Sequence, residues 1–241
     1  MQYPHAVLLD PRSGSHCHEL RAHKNAIHCV RWSPISEYLL ATGGSDSKIL
    51  LWDIRSAKGY LTCLDQHNGE ARGNSKDLIT AHNGVVNSLC FTDDGLNLVS
   101  FGTDCKVRLW DVALSLNTLV NFGMIQNNYP HQQCTLEICS NSNPPVIFVP
   151  SSKRIIALDL FSGTKILNLV AHFRSVNCCV YRSSTNTLYS GGNDMNILFW
   201  TPDSELEITE NLEIRKNVSR AATLPDSEED AWSSSGSDND T

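Results

Sequence analysis

The run "ILLWDIR" at residues 49–55 sets four apolar side chains, Ile49-Leu50-Leu51-Trp52, before an aspartate and an arginine. Close copies follow: "VRLWDVA" at 107–113 and "ILFWTPD" at 197–203. A short, continuously apolar run rich in β-branched and aromatic residues and bounded by turn formers reads as a buried strand. Each run also sits in a fixed frame. His23, Thr42, Asp46 and Trp52 form one set; His82, Ser100, Asp104 and Trp110 a second; His172, Ser190, Asp194 and Trp200 a third. In all three, Asp precedes Trp by six residues and follows the hydroxyl residue by four, and His precedes Trp by 29, 28 and 28.

The distances between copies define the architecture. Trp110 to Trp200 and His82 to His172 are both 90 residues, or two periods of 45, the length of a four-stranded propeller blade. Trp52 to Trp110 is 58, which calls for a blade plus an insertion, placed in the polar stretch 66–79. "HCVRWSP", "SLCFTDD" and "CCVYRSS" read as inner strands, "YLLATGG", "NLVSFGT" and "TLYSGGN" as the strands after them. This recurring His, Ser/Thr, Asp and Trp frame resembles the WD-repeat family. The resemblance implies an all-β propeller in which each set is a buried hydrogen-bonded tetrad.

The expected organisation is a partial propeller over 1–202: a half blade at 1–20, a blade at 21–65, the insertion loop at 66–79, and a blade at 80–118. A degenerate blade at 119–170 and a further blade at 171–202 complete it. In the degenerate blade "IIALD" aligns with "ILLWD", so Leu158 replaces tryptophan and no tetrad is expected. About four and a half blades of an expected seven cannot close a ring, and blades bury their faces only against neighbours. The reading is of an N-terminally truncated form of a longer protein, with an apolar face exposed at each end of the stack.

Charge is unevenly placed. The net −7 divides into −8 over residues 203–241, which hold eleven Asp/Glu and three Lys/Arg, and +1 over residues 1–202. The acidic, serine-rich tail has too few apolar residues to repay the entropy of folding and is expected to be disordered. Ser227, Ser235 and Ser237 each have an acidic residue three positions on, which makes them candidate phosphorylation sites. Trp232 could anchor a short binding motif. No run of about 18 apolar residues suggests a membrane span, and no basic patch with interleaved aromatics argues for direct nucleic-acid binding. Nine cysteines without a C-x-x-C pair, several inside apolar runs, fit a reducing compartment.

His, Ser and Asp together also spell a hydrolase triad, but a catalytic site is built once, whereas this trio recurs three times with its hydroxyls inside strands and not on a G-x-S-x-G turn. No catalytic residue, cofactor or metal is assigned; His16-Cys17-His18 has no second cluster to complete a zinc site.

The unrepeated segments narrow the resemblance. "CLDQHNGEA", "NTLVNFG", "LYSGGNDMNILFW" and "EDAWSSS" are similar to the Cockayne syndrome A branch of the WD-repeat family. That branch implies a nuclear substrate receptor of a cullin–RING ubiquitin ligase in transcription-coupled nucleotide excision repair. Stalled-transcription and repair proteins would be its substrates. It also implies that the ligase's large damaged-DNA-binding adaptor is held through a Trp-Asp-x-Arg box, here Trp52, Asp53 and Arg55. Leu9-Asp10-Pro11-Arg12 is a weaker echo. The alternative is a general WD-repeat scaffold in signalling or chromatin with no ligase link. In this reading Asp53 and Arg55 stand outside the repeat, because the tetrad's aspartate is Asp46.

Overall fold

The computed structural model describes residues 4–56, 59–69, 79–126 and 134–202, and all regular structure among them is β. The expected tail, with Ser227, Ser235, Ser237 and Trp232, lies outside the described residues. The hairpin β1 (His5–Leu9) and β2 (His16–Arg21) is a two-stranded sheet. The next sheet orders β3 (Ile27–Trp32), β4 (Leu39–Gly44), β5 (Ile49–Asp53) and β6 (Thr62–Cys63) in sequence. A second four-stranded sheet orders β7 (Val86–Phe91), β8 (Asn97–Gly102), β9 (Val107–Asp111) and β10 (Leu116–Asn117). The third holds β11 (Glu137–Cys139), β12 (Val146–Ser151), β13 (Arg154–Asp159) and β14 (Lys165–Val170). Finally, β15 (Val176–Arg182), β16 (Thr187–Gly192) and β17 (Ile197–Trp200) make a three-stranded sheet.

Every pairing within these sheets is antiparallel, and the register repeats from blade to blade. Trp52 faces Leu40, Trp110 faces Leu98 and Trp200 faces Leu188. In the third four-stranded sheet Leu158 occupies this place, opposite Ile147. A bulge recurs near the start of β3, β7 and β15, where the first two strands of each tetrad blade meet.

Sheets pack face to face through apolar layers. Ala41, Ile49 and Leu51 meet Leu89, Leu98 and Trp110, and Val99, Phe101 and Leu109 meet Ile138, Ile147 and Val149. Ile155 then meets Val176, Cys179 and Leu188. The hairpin closes on the first full sheet, with Leu8 and Leu20 against Leu40, Leu50 and Trp52. The approach is close enough at Gly43 to exclude a side chain, since a Cβ there would lie 2.7 Å from both Cys29 Sγ and Val86 Cγ1. All nine cysteines are free thiols, and burial pushes those of Cys29, Cys90 and Cys134 up to about 12.

Among the described residues one face, that of the last sheet, has no covering neighbour, and the face of the first full sheet is covered by the hairpin only in part. On the last sheet, Val180, Tyr189 and Phe199 stand opposite one another across three strands. Phe199 is 70% and Ile197 80% exposed. At the other end Val30 and Trp32 on β3 are exposed.

The insertion starts later than expected. Gln66 is buried, its amide bonded to the carbonyl of Thr80 at 3.0 Å, and Asn68 Nδ2 donates to the Asn117 carbonyl at 2.9 Å. Residues 66–69 are therefore stitched to the second blade. Of the remainder of the expected loop, residues 70–78 lie outside the described residues.

Candidate functional site

Two constellations recur in the sheets: one inside each tetrad blade, the other at the turn after each Trp strand. In the first, His23 Nε2 lies 2.7 Å from Thr42 Oγ1, and Trp52 Nε1 donates to the same oxygen at 2.8 Å. The Asp46 carboxylate, 2.9 Å from Nδ1, can only accept, so Nδ1 carries the proton of the neutral ring and Nε2 accepts that of the threonine hydroxyl. The second set repeats this through His82, Ser100, Asp104 and Trp110 at 2.7, 2.9 and 2.8 Å. The third repeats it through His172, Ser190, Asp194 and Trp200 at 2.8, 2.9 and 2.9 Å.

Each aspartate also takes backbone amides. Asp46 accepts from Lys24 and Lys48, Asp104 from Asn83 and Lys106, and Asp194 from Phe173 and Asn196. Burial alone would raise these carboxyls, but the imidazole and amide donors outweigh it and hold all three below the ordinary range, Asp194 near 2. Each hydroxyl is engaged on both sides inside a buried strand, so none is presented as a nucleophile.

The second tetrad carries an addition that reading by spacing misses. Arg108 lies in the strand where its counterparts are Leu50 and Leu198. Its guanidinium is buried, with Nη1 2.9 Å from Asp104 Oδ2 and 2.6 Å from His82 Nδ1. Nη2 donates to Gln66 Oε1 at 2.8 Å, and Gln66 Nε2 donates to Asn83 Oδ1 at 2.8 Å. The pKa of His82 is lowered, by burial first and with the Arg108 charge adding to it. A cation in an otherwise apolar strand is the signal that could have found this network, since a buried charge requires partners.

The turn constellation holds the box residues. Trp52 is committed to its tetrad and packs edge-on to Tyr60, ring centroids 6.1 Å apart. Asp53 Oδ1 accepts the Arg55 amide at 2.9 Å, and its carboxylate takes the guanidinium in a fork, Nε at 3.0 Å and Nη2 at 2.7 Å. The guanidinium also lies over the Tyr38 ring, 4.2 Å from its centroid. The fork from Arg55 lowers the Asp53 carboxyl to about 2. Arg55 nevertheless remains 63% exposed at its side chain: the cation is oriented without being covered.

Part of this turn belongs to the repeat after all. Asp10 accepts the Arg12 amide, Asp111 the Leu114 amide and Asp159 the Phe161 amide. Asp53 therefore shares a turn-capping task with its counterparts. Arg55 alone is peculiar to its blade; Arg12 makes no matching fork, because Asp10 takes the Ser13 hydroxyl at 2.7 Å.

These sheets and tetrads define a class, and comparison with known proteins agrees. The WD domain, G-beta repeat, matches residues 14–53, 73–111 and 163–201, and the chain belongs to the WD-repeat family of β-propeller proteins. Among curated relatives it is 31% identical to the WD repeat-containing protein ATCSA-1 of Arabidopsis thaliana over 83% of the chain and 58% of that protein. It is 24% identical to the human Pre-mRNA-processing factor 17, over 86% of the chain and 32% of the relative. It is also 25% identical to the Periodic tryptophan protein 2 of Arabidopsis thaliana, over 91% of the chain and 22% of that protein. The chain thus spans between about a fifth and three fifths of the length of these relatives.

Proposed function

We propose that this chain is a nuclear, non-catalytic interaction subunit of the Cockayne syndrome A type. In this reading it is the substrate receptor of a cullin–RING E3 ubiquitin ligase in transcription-coupled nucleotide excision repair. Its partners are the ligase's large damaged-DNA-binding adaptor and, as substrates, proteins of the stalled-transcription complex. The observation that carries the reading is Arg55. Of the two arginines at the equivalent turns, Arg12 and Arg55, Arg55 is the one fixed by its aspartate and by Tyr38 yet exposed. A pre-oriented planar fork loses little entropy on meeting a carbonyl or carboxylate, and arginine is enriched among interface hot spots. The 31% identity to ATCSA-1 supports the same assignment. A general WD-repeat scaffold is the second reading, favoured by the presence of a pre-mRNA-processing factor among the relatives.

Titration of the purified adaptor against the chain, its Arg55→Ala variant and an Arg12→Ala control separates the two. The ligase reading expects at least a tenfold loss for Arg55→Ala and none for Arg12→Ala. Equal binding by all three, or none by any, removes it in favour of the scaffold.

A further inference from the structure

Strand order divides the exposed charges of the body between two rims. Turns joining the first to second and third to fourth strands of a sheet emerge at one end; the second-to-third turns and the links between sheets emerge at the other. At the first rim the described acidic residues are Asp10, Glu37, Asp53, Asp93, Asp94, Asp111 and Asp159, against Arg12, Arg55, Lys165 and Arg182. At the second rim stand Lys24, Lys48, Lys106, Lys153, Arg154 and Arg174. The tetrad aspartates also lie there, but their side chains are at most 8% exposed and already face imidazoles. A body that is nearly neutral in sum is polar from end to end.

Three of these cations are placed by one repeated device. Ser47, Cys105 and Ser152 each adopt a left-handed conformation, with φ of 63°, 60° and 53°. The carbonyl of each accepts an amide from the chain leading into the following sheet: Ala81 at 2.8 Å, Ile125 at 2.9 Å and Val176 at 2.8 Å. The next residues are Lys48, Lys106 and Lys153. They therefore sit at equivalent points on three successive blade junctions, though they are more than forty residues apart in sequence. Only the fold assembles this row.

We propose that this rim binds the phosphate backbone of nucleic acid. Sheets packed face to face lie about 10 Å apart, and a duplex carries a charge for about every 1.7 Å of its axis. A continuous polyanion meets cations at such intervals without needing a matched register, as an acidic peptide would. Among the described residues Leu119 and Met124 stand exposed in the link that follows the second four-stranded sheet, and Phe173 and Met195 in the last blade. Phe173 beside Arg174 offers a stacking platform for an unpaired base. The inference goes beyond the adaptor reading and uses the opposite rim.

The test is fluorescence anisotropy of the full chain with a labelled 20-mer, as duplex and as single strand, across about 50 to 200 mM salt. The expected result is binding that weakens steeply with salt, and a loss of at least tenfold at the lowest salt in K48Q/K106Q/K153Q. That variant should also show a log–log salt slope shallower by about two to three, as three lost phosphate contacts require. Phe173→Ala should weaken the single strand more than the duplex. D93N/D94N on the opposite rim controls for net charge and should leave the slope unchanged. Far-UV circular dichroism shows whether the lysine variant keeps its fold; if it does not, the single changes K106Q and K153Q carry the test. No binding by the full chain, an unchanged slope in the lysine variants, or polyglutamate bound in preference to both oligonucleotides would each overturn the proposal, the last in favour of an acidic protein partner.

Discussion

The sheet β11–β14 and its neighbour β15–β17 have opposite endowments. The first lacks the His, Ser/Thr, Asp and Trp set, yet Ile147, Val149, Ile155 and Ala157 are fully buried. The second has the whole set at good distances, yet Trp200 is only half-buried and Phe199 stands in the open. Neighbours explain the difference. The β11–β14 sheet packs on both faces, while β15–β17 packs on one. The tetrad organises polar groups within a blade; apolar burial comes from the blade beside it.

The largest expected effects follow from that distinction and can break it. Trp110→Ala, in a fully buried position between two sheets, should cost about 3–5 kcal/mol. Trp200→Ala removes an equivalent indole and an equivalent bond to serine but should cost only about 1–2 kcal/mol, because part of its area already meets water. Leu158→Ala, in the blade without a tetrad, should cost about 2–5 kcal/mol. Urea unfolding of the three variants gives the order. If Trp200→Ala is as costly as Trp110→Ala, the tetrad itself holds the blade and the neighbouring sheets matter little.

A smaller effect sharpens the contrast between the second tetrad and the other two. Arg108→Leu restores the aliphatic residue of the sibling strands but leaves Gln66 Oε1 and Asp104 Oδ2 each short of a donor. The loss should be about 1–3 kcal/mol. Removing the orphaned partner as well, in Arg108→Leu/Gln66→Leu, should return part of that loss, so the two changes are strongly non-additive. Strictly additive losses in a double-mutant cycle would mean that the bond between Arg108 and Gln66 contributes nothing.

How much of this is legible in the sequence depends on whether a feature is periodic. The three tetrads repeat at fixed spacing, so "ILLWD" and its copies carry the fold class, and even Leu158 can be placed by alignment to Trp52. Gln66 and Arg108 are 42 positions apart and neither belongs to the period; their contact depends on a chain path that spacing does not encode. Asp53, like its counterparts, is visible as the last residue of "ILLWD", "VRLWD" and "IIALD", but its task is not. Its turn-capping role recurs at Asp10, Asp111 and Asp159, but the residues capped differ in kind, so the bond itself is read only from the structure. Lys48, Lys106 and Lys153 gather on one rim only after the strands alternate direction.

The mildest prediction concerns acid, and it separates the second tetrad from the carboxylates shared by all three. The pKa of His82 is lowered in the fold, chiefly by burial, whereas in the unfolded chain it titrates near the ordinary value of about 6.5. Below that pH the unfolded state binds the extra proton, so stability falls as pH falls, by at most about 1.4 kcal/mol per unit for one group. The tetrad aspartates act lower. Their folded values are depressed, so the stability they contribute is complete above about pH 4, the unfolded range, and is lost as pH falls through the folded values, near 2 for Asp194. Urea midpoints should therefore show a shallow decline from pH 7 to 5 and a steeper one below 4. Arg108 adds to the depression of His82 but burial leads it, so Arg108→Leu should flatten the upper limb without abolishing it and leave the lower limb in place. An upper limb unchanged by Arg108→Leu would assign the lowered pKa to burial alone; one that rises toward acid would mean that His82 is charged in the folded protein and that the proton placement along the second tetrad is reversed.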